Sequence, residues 1–407
     1  MSDRYAEAGN KGARVRSDCW IGLKITNRKG IKIEMDSKVD VLYGKANRRL
    51  IEEGMALFGI QDAEVQVVDA GAAPFVLMAR LEAVVRSLKL DQDKGYLPDW
   101  AYEPPESARD RFRRSRLYLP GDQPKLFINA AVHKPDGLIF DLEDSVSPPQ
   151  KEGARILVRN ALRSIDFMGA ERMVRINQLP LGLDDLDELI PQRVDLILIP
   201  KVESPVQIYD VEKKVEKIIY DSKGEINFPF FMPIIESALG IINAYLIASA
   251  SKHNVGLAIG LEDYTADIGT QRTKEGGESF FARSMIVTAA RAAGIQPIDT
   301  VFSDVDDMEG LKASVVEAKS LGFDGKGCIH PRQIGVINRA FAPEDKEVER
   351  AKQIVLAFEK AEREGLGVVS LGSKMIDPPV VKRALKTIDL ALKEGKLPED
   401  WRNADGR

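Results

Sequence analysis

Eight short apolar segments recur along the last three-quarters of the chain, and each leads into polar or charged residues. They span residues 117–119, 138–140, 173–174, 196–199, 230–235, 255–259, 297–302 and 327–329. Stretches with helical spacing of apolar residues lie between them, such as 154–165 and 281–293. A strand followed by a helix, repeated eight times, predicts an α/β fold, the (β/α)8 or TIM barrel, with its active site at the carboxyl ends of the strands. Loops begin at these ends in every barrel, but charge at nearly all of them favours a functional site.

A smaller domain with a different pattern precedes the barrel. Apolar residues alternate with polar ones on both sides of the glycine-ended turn 27–30, which predicts a β-hairpin. The predicted elements are strands at 21–25 and 31–35, a helix at 39–58, a strand at 64–68 and a helix at 74–88. Pro74 suits the first turn of the last helix. The order ββαβα indicates a small α+β domain.

The pattern divides the chain into four parts. They are a small domain at 1–89, a linker at 90–112, the barrel at 113–343 and a C-terminal helical extension at 344–407. The linker is rich in proline and charge and has no periodicity. The extension contains two predicted helices, 344–364 and 378–393, joined by a glycine-rich turn at 365–373. It is too long merely to close the barrel, so we expect a capping or subunit-swapping element.

Composition excludes several classes of protein. The 407 residues carry 58 basic and 63 acidic side chains, a net charge of −5, which gives no sign of nucleic-acid binding. No apolar run approaches the roughly 20 residues that cross a bilayer, and residues 1–17 lack the apolar core of a secretory signal. Cys19 and Cys328 have no metal-like spacing and are expected to be free thiols. A cytoplasmic protein without membrane partners is expected.

Two carboxylates form the strongest chemical pair. Glu236 and Asp263 follow neighbouring predicted strands, about one strand–helix–strand unit apart. Facing one opening, they could hold a hard dication such as Mg²⁺ and leave coordination sites for water and a chelating substrate. The alternative interpretation is that both cap the helices that follow.

A second group lies at the ends of the second and third barrel strands. Arg175 could clamp a carboxylate or a developing enolate, or form a salt bridge to Asp141, Glu143 or Asp144, and the two roles could coexist. Because side chains alternate along a strand, we expect at most two of the three acids to face the mouth. One is expected to orient Arg175 and another to hold metal-bound water, but the sequence does not assign these roles.

Cationic and aromatic groups surround the end of the first barrel strand. Arg116, Tyr118 and Lys125 suit a phosphate-rich cofactor, although a single cation here is often merely solvated. Lys201 is the only competing candidate for a covalent amine, and its neighbour Glu203 favours a polar structural role. Two carboxylates that could bind a metal, an Arg and several further acids together favour metal-assisted enolate chemistry.

From residue 114 to residue 377 the chain resembles the citrate lyase beta-subunit family, which includes malyl-CoA and citramalyl-CoA lyases and is related to the metal-dependent HpcH/HpaI aldolases. The matching motifs are 114–121, 140–146, 174–177, 199–203, 233–240, 260–267, 325–333 and 375–377. The resemblance implies that Glu236 and Asp263 bind Mg²⁺ and that Arg175 binds the substrate carboxylate or oxyanion. It also implies that Asp377, on a segment that closes over the site, often from a neighbouring subunit, handles the proton at the acetyl carbon.

Residues 15–88 resemble the citrate lyase gamma subunit, a small acyl carrier. In that family the phosphoribosyl-dephospho-CoA-type arm is attached to a Ser two residues before an Asp. Asp18 matches this Asp, but Arg16 occupies the attachment position and Ser17 lies one residue later. Either Ser17 is a shifted attachment point, or the domain has lost carriage and serves assembly, with the enzyme acting on free CoA thioesters or on a partner's arm. Of the two, we favour a domain that no longer carries the arm.

The resemblance implies a Mg²⁺-dependent lyase that cleaves a 3-hydroxyacyl thioester, of the citryl, malyl or citramalyl type, into an acetyl-type thioester and a 2-oxo acid such as oxaloacetate. It also implies a homo-oligomer, a trimer or hexamer, with other citrate-lyase-type subunits as possible partners. A non-catalytic scaffold is the alternative of another class, and retention of Arg175, Glu236, Asp263 and Asp377 argues against it.

Overall fold

A computed structural model describes residues 4–90, 94–223, 225–363, 369–371 and 374–402. The chain forms two compact units that meet in sequence between Ile334 and Gly335. No helix in these described ranges is both long enough and apolar enough to cross a membrane.

The first unit contains twelve named strands and most of the helices. The strands are β1 (Tyr5–Gly9), β2 (Cys19–Ile25), β3 (Gly30–Ser37), β4 (Asp62–Asp69), β5 (Ser115–Pro120), β6 (Gly137–Asp141), β7 (Glu171–Arg175), β8 (Leu196–Ile199), β9 (Phe230–Ile235), β10 (Gly256–Ile259), β11 (Gln296–Asp299) and β12 (Gly325–Cys328). The helices are α1 (Asp40–Leu57), α2 (Pro74–Ser87), α3 (Pro124–Phe127), α4 (Lys151–Ser164), α5 (Gly182–Leu189), α6 (Pro205–Asp221), α7 (Ala238–Ile242), α8 (Ala244–Ala248), α9 (Leu261–Asp267), α10 (Phe280–Ala292) and α11 (Met308–Leu321). Helix α12 (Pro331–Phe341) spans the boundary between the units.

Strands β5 to β12 form a closed parallel barrel in chain order, with β12 paired to β5. The predicted (β/α)8 fold is therefore confirmed, and each of the eight apolar segments contributes to a strand. Inward-facing side chains such as Ile139, Leu198 and Met232 fill the barrel interior. Strands of a parallel barrel are covered on both faces, which explains their nearly continuous apolar character.

The predicted hairpin between β2 and β3 is wrong. Strand β4 lies between them, antiparallel to β2 and parallel to β3, and the sheet order is β1-β2-β4-β3. Alternation of apolar residues identifies strands but not their partners, and β4, with Ala63, Val65 and Val67 all buried, fits the central position. Strand β1 was not predicted, so the order is βββαβα.

Helix α2 joins the small domain to the barrel. It packs against β1, β2 and α1 of its own domain and against α4 of the barrel, and every residue from 75 to 85 is buried. Glu82, in the middle of α2, accepts hydrogen bonds from both terminal nitrogens of Arg159, at 2.9 and 2.6 Å, from Arg86 and from the Tyr96 amide. The predicted linker, without helix or strand in its described residues, is thereby tied to both parts.

The second unit is helical. It contains α13 (Asp345–Arg363) and α14 (Pro378–Lys393), close to the predicted helices, and a short hairpin of β13 (Val369–Leu371) and β14 (Lys374–Ile376). The two helices pack on each other around Val355, Ile388 and Trp401. Most of the predicted turn at 365–373 lies outside the described residues.

We predict that Glu82→Ala destabilises the protein by about 3–5 kcal/mol, because it leaves the buried Arg159 guanidinium without its bidentate partner. Glu53→Ala is the matched control. Glu53 forms an exposed ion pair with Arg49, four residues earlier on α1. Loss of this pair should lower the free energy of unfolding by about 1 kcal/mol or less. Urea unfolding followed by circular dichroism measures both changes. Equal effects of the two substitutions would contradict the prediction.

Candidate active site

A cavity of about 440 Å³ opens at the carboxyl ends of the barrel strands. Its lining comprises Arg116, Tyr118, Pro120, Asp141, Asp144, Ser145, Arg175, Ile234, Glu236, Ala258, Ile259, Gly260, Leu261, Glu262, Asp263, Asp299, Thr300, Val301, Gly327 and Ile329. Candidate residues from five regions of the sequence thus meet in one cavity, because the parallel barrel places all its strand ends at one face.

Arg175 occupies the centre of the charged groups at this mouth. Its Nε and Nη2 donate to the two oxygens of Asp141 at 2.6 and 2.7 Å, and Asp141 and Arg175 are register partners on β6 and β7. Its Nη1 lies 2.8 Å from Glu143 and 3.5 Å from Asp144. Although burial alone would lower it, Asp141 raises the pKa of Arg175 above its ordinary value. The salt bridge expected as an alternative is therefore present.

All three acids of the cluster contact Arg175. Asp141 and Asp144 also line the cavity and Glu143 does not, which fits the expectation that at most two of them face the mouth. Strand β6 ends at Asp141, and alternation ends with it. The residues that follow form a loop, in which the carbonyls of Leu142 and Glu143 accept hydrogen bonds from the Lys151 ammonium at 2.8 and 2.6 Å. Nothing in the sequence around Lys151 signals this role.

Lys201 links the acid cluster to Asp263. Its ammonium nitrogen lies 3.5 Å from Glu143, 3.7 Å from Asp144 and 3.5 Å from Asp263. Burial lowers its pKa, but these three carboxylates outweigh burial and raise it above the ordinary value. A lysine that is held protonated is a poor nucleophile, which favours the polar role over an imine-forming one.

Glu236 is buried at the end of β9 and is poorly satisfied. Its Oε2 has no hydrogen-bond partner among the described residues, and burial, with the charges of Glu143 and Asp263, raises its pKa to about 8. A Cβ at Gly260 would lie 2.7 Å from the Glu236 Cγ, so the adjacent strand end makes room for this carboxylate. An unsatisfied carboxylate near other acids is the environment in which a bound cation is stabilising.

Neither proposed metal ligand caps a helix. The N-cap of α7 is Ser237, not Glu236. The N-cap of α9 is Gly260, which has no side chain to cap the helix, and Asp263 lies in the first turn of α9. No cluster of three or more His, Cys, Asp or Glu side chains suited to a metal occurs in the described ranges. Two carboxylates fit Mg²⁺, which commonly takes one or two protein carboxylates and keeps water or substrate oxygens in its other positions.

The candidates near β5 separate in the structure. Tyr118 lies under the Arg175 guanidinium, with 5.3 Å between the Arg175 Cζ and the ring centroid, and burial raises the pKa of its hydroxyl. Arg116 lies deeper in the cavity and is buried. Lys125 is exposed on α3 and is not part of the cavity lining. A cofactor-binding role for these three residues remains a prediction.

Two further candidates, Asp377 and Ser17, are not among the residues that line this cavity. Asp377 caps α14, accepting a hydrogen bond from the Val380 amide at 3.1 Å. Ser17 is half-buried, with φ +54°, and its amide donates to the Ala70 carbonyl. Their expected roles in proton transfer and arm attachment remain predictions.

Comparison with known proteins identifies the family. The family described as HpcH/HpaI aldolase/citrate lyase matches residues 114–331. The chain is 40% identical over 288 residues to citrate lyase subunit beta of Leuconostoc mesenteroides subsp. cremoris, covering 69% of this chain and 94% of that protein. This chain belongs to the HpcH/HpaI aldolase/citrate lyase family. The resemblance predicted from the motifs is confirmed.

Other proteins that are similar to this chain are named for different substrates. The chain is 35% identical to L-malyl-CoA/beta-methylmalyl-CoA lyase of Cereibacter sphaeroides, over 69% of this chain and 95% of that protein. The structure of protein CitE from Mycobacterium tuberculosis in complex with magnesium, acetoacetate and coenzyme A is similar with a TM-score of 0.58 and 30% identity, covering 70% of this chain and 99% of that one. Residues 7–88 match the acyl-carrier family described as malonate decarboxylase delta subunit, which agrees with the carrier-like domain predicted from the sequence.

We predict that Mg²⁺ raises the thermal midpoint of the protein more at about pH 8.5 than at about pH 6.5. Glu236 has a pKa raised to about 8, so below that pH a proton competes with the metal. Without metal, the raised pKa lowers stability progressively as the pH rises from the ordinary carboxyl range to about 8, because the unfolded chain loses this proton first. Mg²⁺ offsets that cost where the carboxyl is ionised. Differential scanning fluorimetry with and without Mg²⁺ measures the shift.

Glu236→Gln should abolish most of this Mg²⁺-dependent shift and its pH dependence. Glu203→Gln is the control, because Glu203 is an exposed acid just beyond β8. A Mg²⁺ response that persists in Glu236→Gln, or that is lost equally in Glu203→Gln, would contradict the metal assignment.

Proposed function

We propose that this chain is a Mg²⁺-dependent carbon–carbon lyase that cleaves a citryl thioester into an acetyl thioester and oxaloacetate. The observation that carries the proposal is the barrel mouth, in which Arg175 and its acids lie beside the unsatisfied Glu236. The 40% identity to a citrate lyase subunit beta over nearly its whole length supports the citryl substrate.

In this proposal Glu236 and Asp263 hold Mg²⁺, as the unsatisfied buried oxygen of Glu236 favours. The metal, when bound, supplies Lewis acidity to the hydroxyl and carboxylate of the substrate. Burial of Glu236 and the packing of Gly260 against it fix the direction of one ligand. Lys201, ion-paired to Asp263 and Glu143, limits the mutual repulsion of these acids.

Arg175 is proposed to neutralise charge on the substrate carboxylate or on the forming enolate. The two hydrogen bonds to Asp141 and the Tyr118 ring fix the plane of the guanidinium. Its longest ion pair, at 3.5 Å, is with the half-exposed Asp144, and a substrate oxygen could replace that contact. Such a preoriented cation can stabilise charge without reorganising during the reaction.

Asp377 is proposed to protonate the thioester enolate carbon on cleavage and to remove that proton in the reverse direction. The proposal rests on the family motif at 375–377. This carboxyl is partly accessible and accepts a hydrogen bond from the Val380 amide.

The small domain is proposed to serve assembly, so that the enzyme acts on free CoA thioesters or on the arm of another subunit. The exposed Arg16 at the attachment position and the burial of Asp18 against Arg80 support this proposal. We also propose a cytoplasmic homo-oligomer, a trimer or hexamer. Exposed apolar side chains on α7, α8 and α10, such as Ile242, Leu246 and Phe281, support a subunit interface.

Lyase activity on malyl-CoA, beta-methylmalyl-CoA or citramalyl-CoA is the second candidate function. Relatives with these names are 33–35% identical to the chain over most of their length. Both candidates use the same proposed metal site, the same Arg175 and the same type of carbon–carbon cleavage. Their substrates differ in the group on the carbinol carbon and, for beta-methylmalyl-CoA, also in a methyl group beside the thioester.

We predict that the purified protein releases a 2-oxo acid from citryl-CoA in the presence of Mg²⁺ and that EDTA abolishes the activity until Mg²⁺ is restored. Coupled dehydrogenase assays distinguish oxaloacetate, pyruvate and glyoxylate as products of citryl-, citramalyl- and malyl-CoA. Glu236→Ala should abolish turnover with the far-ultraviolet circular dichroism spectrum preserved. Near wild-type turnover in that variant, or activity in EDTA, would overturn the metal-dependent mechanism.

We predict that Asp377→Asn lowers kcat by about 100-fold or more, because an amide cannot transfer the proton. Asn also caps helices well, so the fold should persist. Asp307→Asn is the control, since Asp307 caps α11 through the same type of bond, to the Gly310 amide at 2.8 Å. Equal activities of the two variants would refute a role for Asp377 in the chemistry.

A further inference from the structure

Buried arginines in the described part of the chain follow a rule with one exception. Five of them form two-pronged hydrogen bonds with a carboxylate. The pairs are Arg80 with Asp18, Arg113 with Glu171, Arg159 with Glu82, Arg172 with Asp195 and Arg283 with Asp299. The sixth, Arg116, is 1% exposed and has no ion pair with any described carboxylate.

Arg116 points into the floor of the active-site cavity. Arg116, Tyr118 and Pro120 are alternate residues of β5, and all three line the cavity, as expected for one face of a strand. The only polar contact of the Arg116 side chain is from Nη1 to the Met232 sulfur, at 3.0 Å, and its buried Nε has no partner among the described residues. A thioether is a weak acceptor, so most of the guanidinium's hydrogen-bonding capacity is unused.

Arg113 shows what a structural arginine looks like on the same stretch of chain. It donates five hydrogen bonds: two to Glu171, one to Gln296 and two to the carbonyls of Ala108 and Arg109. Three residues later, Arg116 is equally buried and makes none to oxygen. Burial therefore does not by itself explain Arg116.

None of the described acids of the mouth forms an ion pair with Arg116, including Glu236, whose buried oxygen has no partner among the described residues. Asp141, Glu143 and Asp144 contact Arg175, and Asp263 contacts Lys201. A buried cation without a counterion is costly, and burial lowers the pKa of Arg116, although arginine remains charged in proteins. An anion that enters the cavity would remove this cost.

We propose that Arg116 binds a second carboxylate of the substrate's acyl group at the cavity floor and so selects thioesters that release a dicarboxylic 2-oxo acid. This inference rests on the proposed function and adds a residue that determines its specificity. A citryl group carries an acetate arm on its carbinol carbon, where a citramalyl group has a methyl group and a malyl group a hydrogen. The small residues Ala258 and Gly327 line the same cavity, which has a volume of about 440 Å³.

Arg116, Arg175 and Glu236 line the same cavity of about 440 Å³, so one substrate could contact all three. Tyr118, two residues further along β5, lines this cavity too, with its ring centroid 5.3 Å from the Arg175 Cζ. A substrate with one carboxylate near Arg175 and the metal ligands could therefore extend a second carboxylate past Tyr118. The guanidinium of Arg116 has N–H groups available, and two of them could bind the two oxygens of that carboxylate.

The test compares the wild-type protein with Arg116→Met, Arg116→Lys and Arg113→Met. The kinetic readout is the ratio of kcat/KM for citryl-CoA to kcat/KM for citramalyl-CoA, with Mg²⁺ present. The binding readout is isothermal titration calorimetry of oxaloacetate and of pyruvate with Mg²⁺, which needs no turnover. Thermal midpoints report on the fold.

We expect Arg116→Met to lower the citryl-to-citramalyl ratio by about 100-fold or more and to remove the preference for oxaloacetate over pyruvate. Its thermal midpoint should equal or exceed that of the wild type, because a buried unpaired charge is replaced by an apolar side chain. Arg116→Lys should retain part of the ratio, since it keeps the charge but loses the fork. Arg113→Met should lower the thermal midpoint and leave the ratio unchanged.

A lower thermal midpoint of Arg116→Met with an unchanged ratio would overturn the proposal and make Arg116 structural. A wild-type preference for citramalyl-CoA would overturn it too, while leaving lyase activity intact. If the wild type cleaves no thioester, the proposed function fails, and calorimetry alone decides the role of Arg116. Tighter binding of oxaloacetate than of pyruvate, lost in Arg116→Met, would then support it, and equal binding would refute it.

Discussion

The ion pair between Arg175 and Asp141 organises the mouth of the barrel. The two residues are register partners at the ends of adjacent strands, so the hydrogen bonding of the sheet itself sets their separation. Once the guanidinium is fixed by Asp141, its remaining nitrogen determines where Glu143 and Asp144 can lie. Lys201 in turn forms ion pairs with Glu143 and with Asp263. Removal of Asp141 would leave Arg175 without its bidentate partner, and the positions of Glu143 and Asp144 would no longer be fixed.

This arrangement leaves the mouth short of positive charge. Five carboxylates, of Asp141, Glu143, Asp144, Glu236 and Asp263, lie near two cationic side chains, Arg175 and Lys201, while Arg116 lines the cavity without an ion pair to any described acid. Glu236 bears the result, because its buried oxygen has no partner in the described structure and its pKa rises to about 8. A bound dication would satisfy this oxygen and offset the excess charge. The case for a metal thus depends on the electrostatics of the whole mouth and not only on two well-spaced acids.

The sequence predicted the parts of this structure that depend on periodicity. Apolar segments identified the eight barrel strands, and polar strand ends identified Arg175, Glu236 and Asp263. Strand pairing in the small domain was missed, because alternation does not say that β4 lies between β2 and β3. The contact of all three cluster acids with Arg175 was missed because it depends on where β6 ends. The isolation of Arg116 could not be read from the sequence, since it depends on which carboxylates are already paired.

The same pairing logic bears on the small domain. Arg80 of the buried helix α2 holds Asp18 with two hydrogen bonds of 3.0 Å and also donates to the Asp122 carbonyl, just beyond β5 of the barrel. The segment beside Ser17 is therefore tied to the barrel through one arginine, while Glu82 ties α2 to α4. Undocking the domain would expose an apolar helix, break the buried Glu82–Arg159 ion pair and break the hydrogen bond from Arg80 to the Asp122 carbonyl. A mobile carrier must leave its docking surface to deliver its arm, so these contacts favour a fixed assembly role for the domain.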